Sequence, residues 1–527
     1  RGGRVFIDIV INHTGWGAML QENHPEWFLR HANGEFASPG AWGTVWEDLV
    51  ELKHNNVVLW DQLAEMFLTW CRRGVDGFRC DAGYKVPLPA WQYIIARVQQ
   101  EFPETIFLLE GLGGSWDATE ALLTEGRMQW AYSELFQNYS GRDVAGYLDY
   151  ALRQSERVGL YVHYSETHDN SRLAAARTAE VQPAGNASPE GRLWSLLRNR
   201  LCALTSVSGG FGFTSGVEWL ATEKIRVHGS TGLAWGGKEN LLPELVQLNQ
   251  LLANHPCFFD AAKLTRLSAP AAAVYALLRE SAEGKDACVV LVNTDAGTPQ
   301  TQAFPPGANS KFQLSDLKFD LLGQELPEVK RNSSGESVVS LPPGAAYCLA
   351  PTAQPVGLSG DAYRQVRARA AWAIQVLNEN LSPTEMGEYD WRALAEIVDR
   401  SPESFLAAVS QVDRELARTD LVAALQKAIE QPGFPQVIRW SLVDCRRLTP
   451  IPPAHWLLVE DEAAFRASLQ PKGVVTPLHV ESIRAGGRQV ACFPARGFSG
   501  DAALSVERYA ESQPQVKATV RFLAPEP

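Results

Sequence analysis

The chain has 527 residues, 45% of them hydrophobic, enough for more than one buried core. Its formal net charge is −12, which argues against nucleic acid as a partner, because phosphate recognition calls for a basic surface. No apolar run approaches the length of a membrane span, so no membrane partner is expected. The eight cysteines (71, 80, 202, 257, 288, 348, 445 and 492) show neither metal-ligand spacing nor a paired framework. They read as buried free thiols of a reducing compartment, which points to the cytoplasm.

In chain order, residues 5–11 form an apolar, β-branched run that reads as a buried strand containing Asp8 and leading into Asn12 and His13. Residues 14–43 read as an excursion with His24-Pro-Glu-Trp-Phe28 and a turn-rich tip at 38–40. Val57, Leu59, Leu63, Met66, Phe67 and Trp70 recur at helical spacing and predict a helix over 56–73. A strand at 75–78 runs into Arg79 and Asp81, and Pro87 opens the next helix. A third strand, 105–109, meets Glu110, and a fourth, 159–164, precedes Thr167-His168-Asp169-Asn170. Residues 210–218 read as a last strand and turn, and 241–252 as a closing helix. Functional side chains at the ends of successive strands point to a β/α barrel with its site at that face.

After 256 the pattern changes to short alternating strands at 273–278, 287–293 and 345–349, which predict an antiparallel β-sandwich. The expected organisation is a barrel over 1–258, a sandwich over 259–350, a Pro/Gly linker at 351–360, a helical segment over 361–430 and a β-rich region over 431–527. Ser401 and Pro402 mark a helix start in the helical segment. No catalytic signature falls in 351–527, which reads as a structural or docking extension.

The carboxylates define a chemistry. Cleaving a glycosidic bond with retained configuration needs one ionised carboxylate to attack the anomeric carbon and one protonated carboxyl, about 5–5.5 Å away, to protonate the leaving oxygen. Arg79, two residues before Asp81 on a strand, points to the same face and sets a permanent positive charge beside it. Glu110 ends an apolar strand with no basic neighbour in sequence, which favours a held proton.

Taken in order, the segments Asp8-Ile-Val-Ile-Asn12-His13, Gly77-Phe-Arg79-Cys-Asp81, Leu108-Leu-Glu110-Gly and Thr167-His168-Asp169-Asn170 resemble the α-amylase family of glycoside hydrolases and transglycosidases, over roughly residues 1–350. The resemblance implies Asp81 as nucleophile, Glu110 as general acid/base and Asp169 as a carboxylate steadying the distorted sugar. It implies Arg79 beneath the nucleophile and His13 and His168 on sugar hydroxyls. Asp8 and Asn12 would shape the first loop, with Asn12 and Asp48 as candidate calcium ligands. The chemistry itself requires no cofactor. In that family the strand carrying Asp8 is the third of eight, so the expected fold is an incomplete (β/α)8 TIM barrel whose first two strands are missing. A fragment of that kind would be poorly soluble alone.

Many amylases place Lys-His three and four residues after the nucleophile, where this chain has Tyr84-Lys85, in the region of the acceptor. The expected activity is hydrolysis of α-glucosidic bonds in glycogen- or starch-type glucans or maltodextrins, including debranching, with an α-glucan or maltooligosaccharide as the partner. A 4-α-glucanotransferase or maltosyltransferase would use the same covalent intermediate. A rival of another class is an inactive glucan-binding subunit. The sixteen tryptophans are many for this length; most read as core anchors, and the rest are available as faces for sugar rings.

Overall fold

The computed structural model describes residues 3–41, 43–137, 141–175, 187–225, 236–305, 314–378, 380–387, 389–400, 402–409 and 411–430. Beyond 430 it describes the strands at 440–443, 456–459, 481–485, 488–494, 503–510 and 513–521. Two compact units divide the chain, 1–360 and 361–527.

In the first unit strands alternate with helices. The first half runs β1 (Phe6–Val10), α1 (Val57–Arg72), β2 (Gly77–Asp81), α2 (Leu88–Glu101) and β3 (Ile106–Leu109). It continues with α3 (Trp116–Thr124), β4 (Trp130–Tyr132), α4 (Gly141–Arg157), β5 (Leu160–Tyr164), α5 (Pro189–Thr205), β6 (Phe211–Gly212) and α6 (Leu242–Asn254). The six strands lie in sequential order and pair in parallel throughout, an incomplete barrel in which β1 and β6 are the outer strands. Each of the helices α1 to α5 is the crossover that a parallel pair needs.

Alternation along the strands sorts the side chains. Phe78 and Cys80 of β2 and Phe107 and Leu109 of β3 are fully buried toward the helices, where Phe67 of α1 meets Phe78 edge-on at 4.8 Å and Trp91 of α2 at 6.2 Å. The opposite parity points inward. Gly77 carries no side chain, and a Cβ there would stand 2.6 Å from the Phe6 ring; the space it leaves lets Phe6 reach over β2 and past β3 to stack on Trp130 of β4 at 5.6 Å. One step up each strand, the same face carries Asp8, Arg79 and Tyr132. Asn56 caps α1, its side chain accepting from the Val58 amide at 2.9 Å.

The excursion after β1 leaves and returns as an antiparallel pair, His13–Gly15 against Leu49–Glu51, with His13 opposite Glu51. Residues beyond α6 form the antiparallel region: β7 (Lys263–Arg266), β8 (Val274–Glu280), β9 (Ala287–Asn293), β10 (Gln300–Phe304), β11 (Phe319–Asp320), β12 (Val329–Arg331), β13 (Ser337–Leu341) and β14 (Ala346–Ala350). They make a five-stranded sheet, β7-β8-β9-β14-β11, and a three-stranded one, β10-β13-β12. Val274, Leu278 and Leu291 of the first sheet share a buried cluster with Val339 and Leu341 of the second.

The second unit opens with helices at Gly360–Leu377, Trp391–Arg400, Pro402–Val409 and Leu421–Glu430 around Leu377, Leu394, Phe405 and Leu425. The expected cap Ser401 lies outside the described residues. The strands beyond 430 pair antiparallel, four in one sheet and two in a hairpin. Among the described residues no helix is long and apolar enough to cross a membrane.

Candidate active site

The upper ends of β1, β2 and β3 place the candidate residues side by side. Because Asp8 pairs in register with Arg79, and Arg79 and Asp81 share a face, one guanidinium serves two carboxylates. Arg79 Nη1 donates to Asp81 Oδ1 at 2.6 Å and to both oxygens of Asp8 at 2.8 and 2.9 Å. Its Nε donates to the Tyr132 hydroxyl at 3.1 Å. Burial works against the Arg79 charge, but Tyr132, Asp8 and Asp81 outweigh it and raise its pKa. Tyr132, which no sequence motif marks, is the second anchor of this arginine, and Tyr164 of β5 packs on it at 4.1 Å. Gly212 of β6 makes room for Tyr164, since a Cβ there would stand 2.2 Å from that ring.

Immediately after Asp81 the backbone turns sharply. Ala82 sits in the left-handed region at φ 43°, unusual for a residue with a Cβ. The turn aims the Ala82 amide at Glu110 Oε2, 2.8 Å away, while Glu110 Oε1 accepts from the Leu112 amide at 3.0 Å. Strain at Ala82 therefore ties the loop after one carboxylate to the side chain of the other. Glu110 is 8% exposed. Burial raises its pKa above the ordinary carboxyl range, and Asp81 adds to the rise; Arg79 and the two amides pull the other way without cancelling it.

Tyr84 and Lys85 lie on a short 3-10 turn, Gly83–Lys85, held by the buried Trp91 indole donating to the Gly83 carbonyl at 2.9 Å. Burial pushes the Tyr84 hydroxyl up to about 12, with Glu110 and Asp81 contributing, so it stays a proton-bearing donor. Lys85 Nζ lies 5.7 Å from the Tyr84 ring centre, and its charge offsets the burial that raises the Glu51 pKa. His13 has its pKa lowered by burial, against the pull of Asp81 and Asp48, so its ring is neutral at neutral pH. These mutual influences bring Asp8, His13, Arg79, Asp81, Tyr84, Lys85 and Glu110 into one neighbourhood.

His168 and Asp169 are reached differently. They contact each other, Nε2 to Oδ2 at 3.5 Å, and among the described residues no hydrogen bond or ion pair joins them to the Arg79 group. Their loop is bracketed by an ion pair that sequence reasoning missed. Glu166 and Arg172 are 2% and 1% exposed and face each other at 3.2 Å. Glu166 also accepts from the Leu173 amide at 2.7 Å and from the Thr214 hydroxyl, and Arg172 Nη2 donates to the Ser215 carbonyl at 2.9 Å. The clasp fixes the loop after β5 against the loop after β6.

The calcium expectation meets a poor donor set. Asn12 is buried, with its amide nitrogen 3.4 Å from the His13 ring, and Asp48 is exposed. Among the described residues no group of three His, Cys, Asp or Glu could hold a metal ion. A calcium ion takes about six to eight oxygens, so Asn12 and Asp48 would need backbone carbonyls or other oxygens beside them to complete a cage.

No protein-family model matches the chain. It is 22% identical over 321 residues to the α-1,4-glucan:maltose-1-phosphate maltosyltransferase of Cereibacter sphaeroides, covering 58% of this chain and 50% of that one. It is 24% identical over 264 residues to the enzyme of the same name from Pseudomonas aeruginosa, covering 48% and 38%. The chain thus spans about half the length, or less, of these relatives. Among solved structures it resembles an Anoxybacillus α-amylase, with TM-score 0.50, 17% identity, and 67% and 77% of the two chains covered. An α-amylase from Geobacillus thermoleovorans matches at TM-score 0.50 and 15% identity, over 66% and 77%. The chain thus has the fold of the α-amylases, and its sequence relatives and four strand-end segments make it similar to the glycoside hydrolases and transglycosidases of that family.

Proposed function

We propose that the chain cleaves α-glucosidic bonds of glycogen- or starch-type glucans or maltodextrins with retention, through a covalent glycosyl-enzyme. The observation that carries this reading is the contrast between the two carboxyls: Asp81 in contact with a guanidinium, Glu110 buried with a raised pKa beside it. In this reading Asp81 attacks the anomeric carbon while Glu110 protonates the departing oxygen, and Glu110 then takes a proton from the incoming acceptor. Arg79, held by Asp8 and Tyr132, orients Asp81. His13 and His168 bind sugar hydroxyls, Asp169 steadies the distorted ring, and Tyr84 and Lys85 face the acceptor. The six described cysteines are all buried and free, which supports a reducing, cytoplasmic setting.

A second reading, transfer to a glucan acceptor, is favoured by the names of the sequence relatives, which are maltosyltransferases. Hydrolysis and transfer share the intermediate and part only at the acceptor. Incubating the full chain with maltoheptaose, branched dextrin and glycogen and resolving the products by length decides between them. Shorter sugars alone indicate hydrolysis, and products longer than the substrate indicate transfer. No turnover of any of the three refutes both readings.

A further inference from the structure

The two most exposed aromatic side chains among the described residues both stand at the face of the sheet that carries the candidate site. Trp16 is 51% exposed and Trp116 is 50% exposed. A scattered surface tryptophan needs no explanation, but these two share three further properties. Each indole is pinned through its own N–H: Trp16 Nε1 donates to the Glu47 carbonyl at 2.9 Å, and Trp116 Nε1 to Glu134 Oε2 at 3.4 Å. Each is braced by a second ring, Trp16 at a near-perpendicular angle to Phe36 at 6.0 Å and Trp116 stacked on Tyr150 at 4.1 Å, so the orientation is constrained while about half of each side chain stays exposed. Each also follows a strand end of the site.

The strand order places them. Trp16 lies three residues beyond His13, on the loop after β1, and His13 feels the charge of Asp81. Trp116 opens α3, on the loop from Glu110, and two residues before it Gly114 passes so close to Tyr84 that a Cβ would stand 2.8 Å from the tyrosine Cβ. Tyr84 in turn shares its electrostatic surroundings with Asp81 and Glu110. Since β2 lies between β1 and β3, the loops bearing the two indoles rise on opposite sides of the strand that ends in Asp81.

A glucose ring offers an apolar face of C–H groups and a rim of hydroxyls, so it packs face-on against an aromatic ring while its rim stays wet. An indole already immobilised loses little further freedom when it binds. We propose that Trp16 and Trp116 are sugar platforms on either side of the cleavage point, and that the ligand is a linear α-glucan of several glucosyl units rather than a disaccharide. This rests on the glucan reading above and narrows it to chains long enough to touch both indoles.

The test uses the full chain carrying Asp81→Asn, which prevents turnover, and titrates maltose and maltoheptaose by calorimetry. Trp16→Ala and Trp116→Ala are then added singly; both positions are exposed, and unchanged thermal unfolding checks the fold. The gain in affinity from maltose to maltoheptaose should shrink about tenfold for each indole removed. Trp→Phe at each position should restore part of it, because a smaller aromatic face remains. An undiminished length dependence in both alanine variants, or failure of the Asp81→Asn chain to bind maltoheptaose, overturns the platforms. The catalytic reading is judged separately, by whether the unsubstituted chain turns over maltoheptaose and Asp81→Asn stops it.

Discussion

Replacing Glu166 by Gln keeps shape and volume and removes one charge from a pair that water does not reach. Glu166 and Arg172 are 2% and 1% exposed and 3.2 Å apart. At an effective dielectric of about 20, charges at that separation attract by about 5 kcal/mol, most of which repays their desolvation. The variant leaves the desolvation of Arg172 in place and deletes the repayment, so the expected cost is about 3–5 kcal/mol. Arg172 Nε and Nη1 make no hydrogen bond and only Nη2 is held, by the Ser215 carbonyl, so the Glu166 charge is the main compensation for burying the guanidinium. Neutralising both members with Glu166→Gln and Arg172→Met should recover most of the loss, giving a coupling of at least about 2 kcal/mol in a double-mutant cycle. Urea unfolding followed by tryptophan fluorescence measures it.

Activity separates the clasp's two jobs. His168 and Asp169 lie between its two ends in sequence, so a neutral pair can restore stability without restoring where that loop sits. The double variant should therefore unfold near the wild-type midpoint and still lose about tenfold or more in kcat, as small misplacements in a site do. A single variant costing under about 1 kcal/mol, or a double variant costing the sum of the singles, would refute the argument that this pair is a buried, mutually dependent unit.

Asp81→Ala should reduce glucan turnover to background, because no covalent intermediate can form. Glu110→Gln should slow natural glucans by about 10²–10⁴-fold while largely sparing aryl glycosides with good leaving groups, which need little protonation; equal loss on both would mean that Glu110 is not the acid. Because burial raises the Glu110 pKa, its proton is held to higher pH and lost only as pH rises through the raised value. The basic limb of kcat/KM should accordingly lie above the ordinary carboxyl range and disappear in Glu110→Gln on an activated substrate; a limb within that range would contradict the burial argument. Chelation with EDTA should leave activity and melting temperature unchanged, since both catalytic roles are filled by carboxylates and no cluster of three His, Cys, Asp or Glu stands ready for a metal among the described residues; a melting temperature lowered by chelation and restored by calcium would overturn that reading.

What the sequence made legible was set by the range over which each feature is written. Strand ends announce themselves locally: an apolar run followed by a carboxylate is visible in five or six letters, and the strands expected at 5–11, 75–78, 105–109 and 159–164 stand as β1, β2, β3 and β5 within a few residues. The helix expected over 56–73 runs Val57–Arg72, because its apolar positions repeat at the helical period and Asn56 caps it. β4 is not written this way. It has three residues, only Ala131 fully buried, and neither alternation nor length to mark it, yet it carries the tyrosine that holds Arg79.

The site itself divides along the same line. Asp81 and Arg79 are two letters apart and their contact follows from strand parity, whereas Tyr132 is 53 residues from Arg79 and Thr214 is 48 from Glu166. Partners so far apart meet only through the order of strands in the sheet, and nothing in either local segment names the other. Residues that carry charge at strand ends were therefore readable from the chain, while the residues that hold them in place were not. That asymmetry bears on which substitutions will mislead. Changing Tyr132 to Phe touches no catalytic motif, but it frees the Arg79 Nε and leaves the guanidinium to Asp8 and Asp81 alone. All three bonds to those carboxylates come from a single nitrogen, Nη1, so each carboxylate competes with the other for it. The orientation of Asp81 thus depends on a hydroxyl two strands away, and the sheet order rather than any motif makes that dependence.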